Sequence, residues 1–450
     1  MIQPTREKEL NYYILTMGCQ MNVYDSEVLA GHLENMEYSS TEEQEKADVF
    51  VINTCAVRKK AEEKVHSRLG KLKILKKEKP EMLMVLWGCM VQQGGTARKM
   101  AERFPFLDII GGPHSLGRFP ELLEKAPFSS RTIIDIEPEG EREGLPVKRG
   151  EGVSAWVPIS HGCDNYCTYC IVPYVRGPEK SRLPGEIIKE ITELAREGYR
   201  EITLLGQNVN SYGKDLEEDI GFAQLLEVLD ETGRLQRIRF MTSQPRDFST
   251  NMVEVIAAGE KICEHFHLPL QAGSNKILQK MNRGYTKEKY LQLVHTIRKL
   301  IPECSITTDI IVGFPGETED DFQESIEVLQ QVRFDAAFTF VYSPRSGTKA
   351  AEMEDQVSLE EKKRRIVTIN KVQNNISLEE NLKLLGYQQE ILVEGKSKTD
   401  QNIYTGRTRT NKIVHFSTEE DLTGRLVNLE IVEAKPWTLT GKLLDNNISF

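Results

Sequence analysis

Three cysteines in the middle of the chain have the spacing of a metal-binding loop. Cys163, Cys167 and Cys170 stand in the segment HGCDNYCTYC, with three and then two residues between them. Thiolates at this spacing can reach three irons of one iron–sulfur cube. Because a fully ligated [4Fe–4S] cluster takes four cysteines, one iron is then left open to bind a substrate or cofactor. The spacing therefore predicts a [4Fe–4S] cluster with an open iron.

A zinc site is the alternative interpretation of this loop. His161 would complete a Cys3His set, which zinc accepts as a ligand set. The three-residue first gap is not the usual spacing of zinc ligands, and the next cysteine, Cys263, lies far downstream. The pattern favours iron–sulfur chemistry over zinc.

The same segment resembles the radical S-adenosylmethionine enzymes, whose hallmark is C-x3-C-x2-C with an aromatic residue just before the third cysteine, here Tyr169. In that family the open iron chelates the methionine part of S-adenosylmethionine, and an electron from the cluster splits the cofactor to give a 5′-deoxyadenosyl radical. The resemblance implies that the rest of the cofactor lies over the strand ends of a barrel. The cofactor-binding residues it implies are Tyr169, Gly206, Gln207, Asn208, Gln271, Ser274, Val312 and Gly313. For Gly206 and Gly313, a role in tight turns is the open alternative.

Three further cysteines each end a hydrophobic run. Cys19, Cys55 and Cys89 close the segments NYYILTMGC, ADVFVINTC and MLMVLWGC. The carboxyl ends of parallel strands meet at one edge of a sheet, so the three thiols should converge there and could hold a second cluster with its own open iron. By spacing alone, three buried structural cysteines fit equally well. Cys263 and Cys304 have no partners at motif spacing, and we assign them to the core.

The blocks MGCQMNVYDSE, VINTCAVRKKAEEKVHSRLG and GCMVQQ resemble the amino-terminal domain of methylthiotransferases. This resemblance implies that Cys19, Cys55 and Cys89 bind an auxiliary [4Fe–4S] cluster, so that the protein carries two clusters and uses S-adenosylmethionine. It extends over nearly the whole chain, because the last domain looks like the small RNA-binding β-barrel, of TRAM type, that these enzymes carry.

Within that family the segments NTCAVRKKAEEKV, LLGQNVNSY and HGCDNYCTYCIVPYVRGPEKSR look most like the branch acting on N6-isopentenylated adenosine 37 of tRNA. The implied reaction adds a methylthio group at C2 of that base in the anticodon loop. One molecule of S-adenosylmethionine supplies the methyl group, and another supplies the radical that abstracts hydrogen from C2.

Two rival functions stay open at this point. One is a methylthiotransferase acting on threonylcarbamoyladenosine 37 of tRNA or on an aspartate of a ribosomal protein. Such a substrate bears a carboxylate and needs Arg or Lys in its pocket, whereas a prenyl group needs apolar contacts. The other is a non-enzymatic iron–sulfur RNA-binding sensor, which would produce no 5′-deoxyadenosine.

The elements that must position these residues are of the α/β class. The chain has 450 residues, enough for about three domains. Strands alternating with helices predict a parallel sheet in an amino-terminal domain over 8–125, followed by a linker at 126–148 with one short edge strand. Six strand–helix units predict a partial (βα)6 barrel over 149–380, with Ser358 and Glu361 forming a capping box on its last helix. Short alternating runs predict a small all-β barrel over 381–445.

Two basic segments could contact RNA. Residues 58–80 carry ten basic and three acidic residues, beginning with Arg58, Lys59 and Lys60. Residues 395–416 hold five basic residues, including Arg407, Arg409 and Lys412, with Tyr404, His415 and Phe416 interleaved as stacking surfaces. The alternatives are an exposed helix face for the first segment and a hairpin whose aromatic rings face the core for the second.

The net charge and the first residues of the chain indicate the class of protein and its expected compartment. The net charge of −10 argues against a globally basic nucleic-acid binder. No apolar stretch is long enough to span a membrane, and the start MIQPTREKELNYY lacks a signal-peptide core. We expect a cytoplasmic, monomeric protein. Its expected partners are tRNA, an electron donor such as a flavodoxin or ferredoxin, and a sulfur carrier.

Overall fold

The structure, a computed structural model, describes residues 9–56, 59–218, 220–397 and 400–449, and of residues 59–63 and 445–449 only the backbone. The chain divides into two compact units. The first contains the residues up to 150 together with 161–164 and 170–179. The second contains 151–160, 165–169 and the residues from 180 onward. The domain boundaries drawn from the sequence stay predictions.

A six-stranded parallel sheet, in the order β2-β1-β3-β4-β5-β6, forms the first unit. Its elements are β1 (Leu10–Thr16), α1 (Gln20–Asn35), β2 (Tyr38–Ser40), β3 (Val49–Thr54), α2 (Lys59–Glu78), β4 (Leu83–Gly88), α3 (Cys89–Gln92), α4 (Thr96–Arg103), β5 (Ile109–Gly111), α5 (Phe119–Lys125) and β6 (Ile133–Asp135). The edge strand predicted in the linker is β6. The short strand β2 was not predicted.

Helices cover both faces of this sheet, and the sequence shows why. Every residue of β3, VFVINT, is buried, which is typical of a central parallel strand. One face packs against apolar side chains of α1 and α5, such as Leu33 and Phe119. The other face packs against α2 and α4, through residues such as Leu69 and Met100. This arrangement brings the carboxyl ends of β1, β3 and β4 to one edge of the sheet.

The second unit contains six parallel strands of a partial barrel, arranged as the sheets β11-β10-β7 and β12-β13-β14. The elements from here to the last long helix are β7 (Ser154–Pro158), β8 (Ser160–His161), α6 (Val172–Arg176), β9 (Lys180–Ser181), α7 (Pro184–Glu197), β10 (Glu201–Leu205), α8 (Phe222–Asp230), β11 (Arg237–Phe240), α9 (Thr250–Ala258), β12 (His265–His267), α10 (Asn275–Lys280), α11 (Lys287–Leu300), β13 (Ser305–Val312), α12 (Glu319–Val332), β14 (Ala336–Val341) and α13 (Leu359–Leu382). Of these, α6 and the residue His161 of β8 belong to the first unit.

Of the capping box predicted at the start of the last long helix, the structure shows the Ser358 half, while the Glu361 carboxylate binds arginines of the helix instead. The Ser358 hydroxyl accepts a hydrogen bond from the Glu361 backbone N–H at 3.2 Å. The Glu361 carboxylate accepts hydrogen bonds from Arg364 and Arg365. No helix in the described part of the chain is both long and apolar enough to cross a membrane.

The carboxy-terminal strands form a closed barrel in the order β15-β16-β17-β19-β18. They are β15 (Gln388–Lys396), β16 (Ile403–Thr408), β17 (Ile413–Ser417), β18 (Leu426–Ala434) and β19 (Thr438–Ser449). Alternate residues point inward, so that Ile391, Val414 and Leu429 are fully buried in its core. The predicted α/β class, the partial barrel and the small all-β barrel are confirmed.

The turn between β16 and β17 docks on the partial barrel. Arg237 donates to the carbonyl oxygen of Arg407 at 2.6 Å, and Arg239 donates to those of Thr408 and Arg409, each at 2.7 Å. Arg237 is the first residue of β11. The turn therefore lies at the amino-terminal end of the barrel strands, opposite the end where such barrels carry their chemistry.

Candidate active site

The structure brings together the three dispersed cysteines of the first unit. Cys55 and Cys89 directly follow β3 and β4, and Cys19 lies three residues beyond the end of β1. A Cβ placed on Gly18 would lie 2.8 Å from the Cβ of Cys55. Burial raises the pKa of the Cys89 thiol to about 11, Arg176 opposes this shift, and the charges of Cys19 and Cys55 add to it. The three thiols thus lie within electrostatic reach of one another.

Glycines let the chain turn sharply before two of these cysteines. Gly18 has φ +133° and Gly88 has φ +104°, a region that favours glycine. A Cβ on Gly88 would also lie 2.4 Å from the carbonyl oxygen of Thr54. Asn22 connects the turns, because its side chain donates to that carbonyl at 2.7 Å and lies 3.5 Å from the Cys19 sulfur. The motifs MGCQMN and GCM are therefore local requirements of the site.

A buried arginine, which the sequence analysis did not single out, stands beside this cluster of thiols. The Nε of Arg176, the last residue of α6, lies 3.2 Å from the Sγ of Cys89. Its Nη2 donates to the Asp25 carboxylate at 2.7 Å and to Asn22 at 3.2 Å. Its Nη1 is buried and, among the described residues, has no hydrogen-bond partner. A positive charge with a spare donor suits a site for anionic ligands.

The loop of the C-x3-C-x2-C motif has a second buried arginine beside one of its thiols. Within the second unit, the Nη1 of Arg283 lies 3.3 Å from the Sγ of Cys167 and 3.4 Å from the hydroxyl oxygen of Tyr169. Its other nitrogens bind the carbonyl oxygen of Pro269 and the hydroxyl of Tyr285. The sequence analysis did not identify this residue either.

The other two cysteines of the motif, Cys163 and Cys170, belong to the first unit. The Cys163 N–H donates to the carbonyl oxygen of Gly177 at 3.2 Å. The His161 ring faces the ring of His114, with 6.5 Å between the centroids. Among the described residues, no three His, Cys, Asp or Glu side chains are placed to hold a single metal ion.

The predicted cofactor residues after β10 divide into two kinds. Gly206 allows a close approach, because a Cβ there would lie 2.7 Å from the Ser160 hydroxyl. The Oε1 of Gln207 and the Oγ of Ser160 are buried with no hydrogen-bond partner in the described residues, so both are available to a ligand. Asn208 is occupied by the protein, since it donates to Asp247 at 2.9 Å and accepts from the Gln244 N–H at 3.1 Å.

The predicted residues after β12 and β13 have mainly structural contacts. Gln271 has the unusual φ of +72° and donates its N–H to the carbonyl oxygen of Asp309. The Ser274 hydroxyl donates to Asp321 at 2.6 Å. Val312 is buried in the hydrophobic core, and Gly313, at φ +72°, packs against Lys362. These contacts leave cofactor binding by the four residues untested.

Comparisons with known families match three separate segments of the chain. Residues 157–329 match the radical SAM superfamily, 11–112 match the uncharacterized protein family UPF0004, and 383–444 match the TRAM domain. The tRNA-2-methylthio-N(6)-dimethylallyladenosine synthase of Carboxydothermus hydrogenoformans is 54% identical over 438 residues, covering 97% of this chain and 100% of that protein. The synthase of Thermoanaerobacter pseudethanolicus is 53% identical, covering 98% of this chain and 94% of that protein.

The chain belongs to this synthase family. The resemblance to radical S-adenosylmethionine methylthiotransferases drawn from the cysteine motifs is thereby confirmed. Among solved structures, the radical S-adenosylmethionine methyltransferase TsrM from Kitasatospora setae matches with a TM-score of 0.57 at 13% identity, covering 76% of this chain and 77% of that chain. That likeness concerns the fold alone.

The residues of this synthase-family chain fit the iron–sulfur chemistry that the radical SAM match implies. None of its eight cysteines, all described, forms a disulfide. Two of the six predicted ligands, Cys89 and Cys167, lie beside buried arginines. An arginine stays charged under all ordinary conditions, so each cation can offset the negative charge that thiolates and a cluster bring into a buried site.

Of the cations predicted to contact RNA, some lie outside the described part of the chain, and others pair with carboxylates of the protein. Arg58 lies outside the described residues, as do the side chains of Lys59 and Lys60. Farther along α2, Lys64, Lys71, Lys73 and Lys77 are exposed. Arg407 pairs with Glu394, Arg409 with Glu264 and Lys412 with Asp335. The pairs of Arg409 and Lys412 link the small barrel to the partial barrel; RNA binding by these cations remains untested.

Two of the three ring-bearing residues predicted as stacking surfaces, Tyr404 and Phe416, are buried in the small barrel. Tyr404 and Phe416 are 4% and 2% exposed, and their rings pack in the barrel core with centroids 6.0 Å apart. His415 shares a hydrogen bond with the Thr405 hydroxyl. The stacking prediction for Tyr404 and Phe416 is wrong, because the period-two pattern of β16 and β17 turns both rings inward.

Proposed function

We propose that this protein is a tRNA methylthiotransferase that converts N6-dimethylallyladenosine at position 37 into its 2-methylthio derivative. The observation that carries the proposal is the convergence of Cys19, Cys55 and Cys89 at one sheet edge, in a chain that also has a C-x3-C-x2-C loop. Two cysteine triads give two [4Fe–4S] clusters, each with an open iron.

The bound clusters and S-adenosylmethionine supply the radical and methyl-transfer chemistry, since the C2–H bond of adenosine is beyond acid–base side chains. The chain supplies ligands, charge and shelter from water. Cys19, Cys55 and Cys89 hold the auxiliary cluster, and Cys163, Cys167 and Cys170 hold the radical cluster. Arg176 and Arg283 keep a positive charge beside one thiolate of each triad.

Polar groups at the barrel strand ends orient the cofactor in this proposal. The buried Oε1 of Gln207 accepts a hydrogen bond, and the Ser160 hydroxyl can donate or accept one. Gly206 lets the cofactor approach the backbone closely, as only a residue without a Cβ can. Unpartnered buried polar atoms are costly, and a bound ligand relieves that cost.

The partners follow from the same chemistry. The substrate is the anticodon loop of tRNA, where an unpaired base can leave the stack. A one-electron donor such as a flavodoxin or ferredoxin reduces the radical cluster, and a sulfur carrier restores the inserted sulfur. We place the protein in the cytoplasm and expect a monomer.

The test is anaerobic incubation of the reconstituted protein with S-adenosylmethionine, a reductant and tRNA bearing N6-dimethylallyladenosine, followed by nucleoside mass spectrometry. We expect the 2-methylthio nucleoside together with 5′-deoxyadenosine, and no product from unprenylated or threonylcarbamoylated tRNA. Deoxyadenosine without product would move the substrate to another methylthiotransferase branch. Absence of both, from protein with intact clusters, would favour the non-enzymatic sensor.

A further inference from the structure

Two phenylalanines on β14 are exposed on the concave face of the partial barrel. Phe338 is 48% exposed and Phe340 41%. The residues between and before them face the other way, because Ala337 is buried and the Thr339 hydroxyl bonds Asn370 of α13. Successive side chains of a strand alternate in direction, so Phe338 and Phe340 point away from α13 and into the barrel.

The neighbouring strand extends this face. Phe338 stands in register with Asp309 of β13, and Phe340 with Ile311. The His267 ring of β12 lies edge-on to Phe338 with 5.9 Å between centroids. Residues in register on parallel strands share a face, so Phe338, Phe340 and Ile311 form an apolar surface, with the Asp309 carboxylate, 3.6 Å from the Nε2 of His267, at its border.

Exposure of this pair contrasts with the two other phenylalanines of the six barrel strands. Phe240 on β11 and Phe266 on β12 are 1% and 0% exposed, inside the core. Phe340 is the penultimate residue of β14, so the exposed rings lie toward the carboxyl ends of the strands, where barrels of this kind bind ligands. Paired exposed rings at such a position mark an apolar ligand contact.

We propose that Phe338, Phe340 and Ile311 bind the dimethylallyl group on N6 of the substrate adenosine. This assignment rests on the proposed function and names the residues that select its substrate. A branched five-carbon chain without polar atoms gains from contact with two rings and an isoleucine. The carboxylate of a threonylcarbamoyl group or an aspartate substrate would instead lose hydration against these apolar side chains without a compensating partner among them.

Binding of two anticodon stem-loops that differ only at position 37 tests the assignment. One carries N6-dimethylallyladenosine and the other adenosine, and fluorescence anisotropy gives the dissociation constant of each for the reconstituted full-length protein. We expect a preference of about tenfold or more for the dimethylallyl form in the wild-type protein. The double variant Phe338→Ala/Phe340→Ala should reduce this ratio to about twofold or less, with affinity for the unmodified stem-loop unchanged.

Two control variants separate apolar contact from general damage. Thr339→Ala changes the same strand on its α13 side and should keep the wild-type ratio. Phe338→Leu/Phe340→Leu retains apolar side chains and should restore most of the ratio lost in the alanine double variant. Because both rings are about half exposed, their removal leaves the folded core intact.

Product formation by the wild-type protein distinguishes a wrong assignment of the phenylalanines from a wrong proposed function. If the wild-type protein makes the methylthio product but the alanine double variant keeps the full binding preference, the assignment of the phenylalanines is overturned and the proposed function stands. If the wild-type protein shows neither product nor preference, the proposed function fails, and the assignment fails with it.

Discussion

The Nε of Arg176 lies 3.2 Å from the Sγ of Cys89, and the same guanidinium donates to the Asp25 carboxylate. Arg176 comes six residues after Cys170, so the segment that carries the radical motif also supplies the cation of the auxiliary thiols. Arg283 makes the corresponding approach to Cys167 at 3.3 Å. One buried arginine thus lies beside one thiol of each cysteine triad.

Replacing Arg176 should make the auxiliary cluster harder to reduce. Arg176→Gln removes a buried positive charge from the cluster, so the added electron is stabilised less and the reduction potential should fall by on the order of 100 mV. The measurement is a redox titration followed by electron paramagnetic resonance, in a Cys163→Ala/Cys167→Ala/Cys170→Ala background that leaves the auxiliary cluster alone.

Arg142→Gln is the matched control for this titration. Arg142 is also buried and pairs with Asp25, at 3.4 Å, but donates to the carbonyl oxygen of Pro113 where Arg176 contacts sulfur. Its replacement should shift the potential far less. Equal shifts in both variants, or none in Arg176→Gln, would contradict a direct role of Arg176 at the sulfur.

Iron content should divide evenly between the two cysteine triads. The wild-type protein should bind about eight irons per chain, and either triple alanine variant, at Cys19, Cys55 and Cys89 or at Cys163, Cys167 and Cys170, should keep about four. Cys263→Ala is the control, because that thiol is 1% exposed yet lies in neither triad. Four irons in the wild-type protein would refute the auxiliary cluster.

Docking of the β16–β17 turn should depend on both Glu264 and Arg409. The two side chains form a paired hydrogen bond with distances of 2.6 and 3.1 Å from the same carboxylate oxygen. Glu264→Gln and Arg409→Gln should each speed amide hydrogen exchange across residues 404–412 by about tenfold. A drop in tRNA affinity in Arg409→Gln but not in Glu264→Gln would assign Arg409 to RNA instead.

Stability should fall in acid through His265. Burial lowers the pKa of this imidazole well below its usual value, and Arg239, His267, Arg407 and Lys412 add to the effect. The folded protein therefore holds His265 neutral while the unfolded chain takes up a proton, so this stability is full above about pH 6.5 and declines as the pH falls below it.

Denaturant midpoints at about pH 7.5 and about pH 5.5 measure this dependence. His265→Gln should reduce the loss between the two pH values. His295→Gln, on the exposed face of α11, should leave the loss as in the wild-type protein. If His265→Gln loses as much stability between the two pH values as the wild-type protein does, other groups govern the response to acid.

The convergence of Cys19, Cys55 and Cys89 could be predicted because parallel strands bring their carboxyl ends to one edge, whatever lies between them in sequence. The positions of the two buried arginines beside the thiols could not be predicted. Arg176 is 87 residues from Cys89, and Arg283 is 116 residues from Cys167, so the spacing of residues carries no signal for either contact.

The basic segment around Arg407 shows a second feature that the sequence could not predict, namely the partners of its cations. A local excess of cations looks the same whether it faces RNA or the protein's own carboxylates. The partners Glu264 and Asp335 lie 145 and 77 residues away from Arg409 and Lys412. Only the tertiary structure identifies those two cations as links between the small barrel and the partial barrel.

The docked turn also separates the small barrel from the carboxyl ends of the partial-barrel strands by the length of those strands. It holds the TRAM barrel at the amino-terminal end of strands such as β13, which at eight residues spans about 26 Å. Under the proposed function, an RNA bound to the TRAM barrel has to extend past the whole height of the partial barrel before a base arrives at the carboxyl ends of the strands. The target would then be selected by its distance along a folded RNA arm as well as by its chemistry.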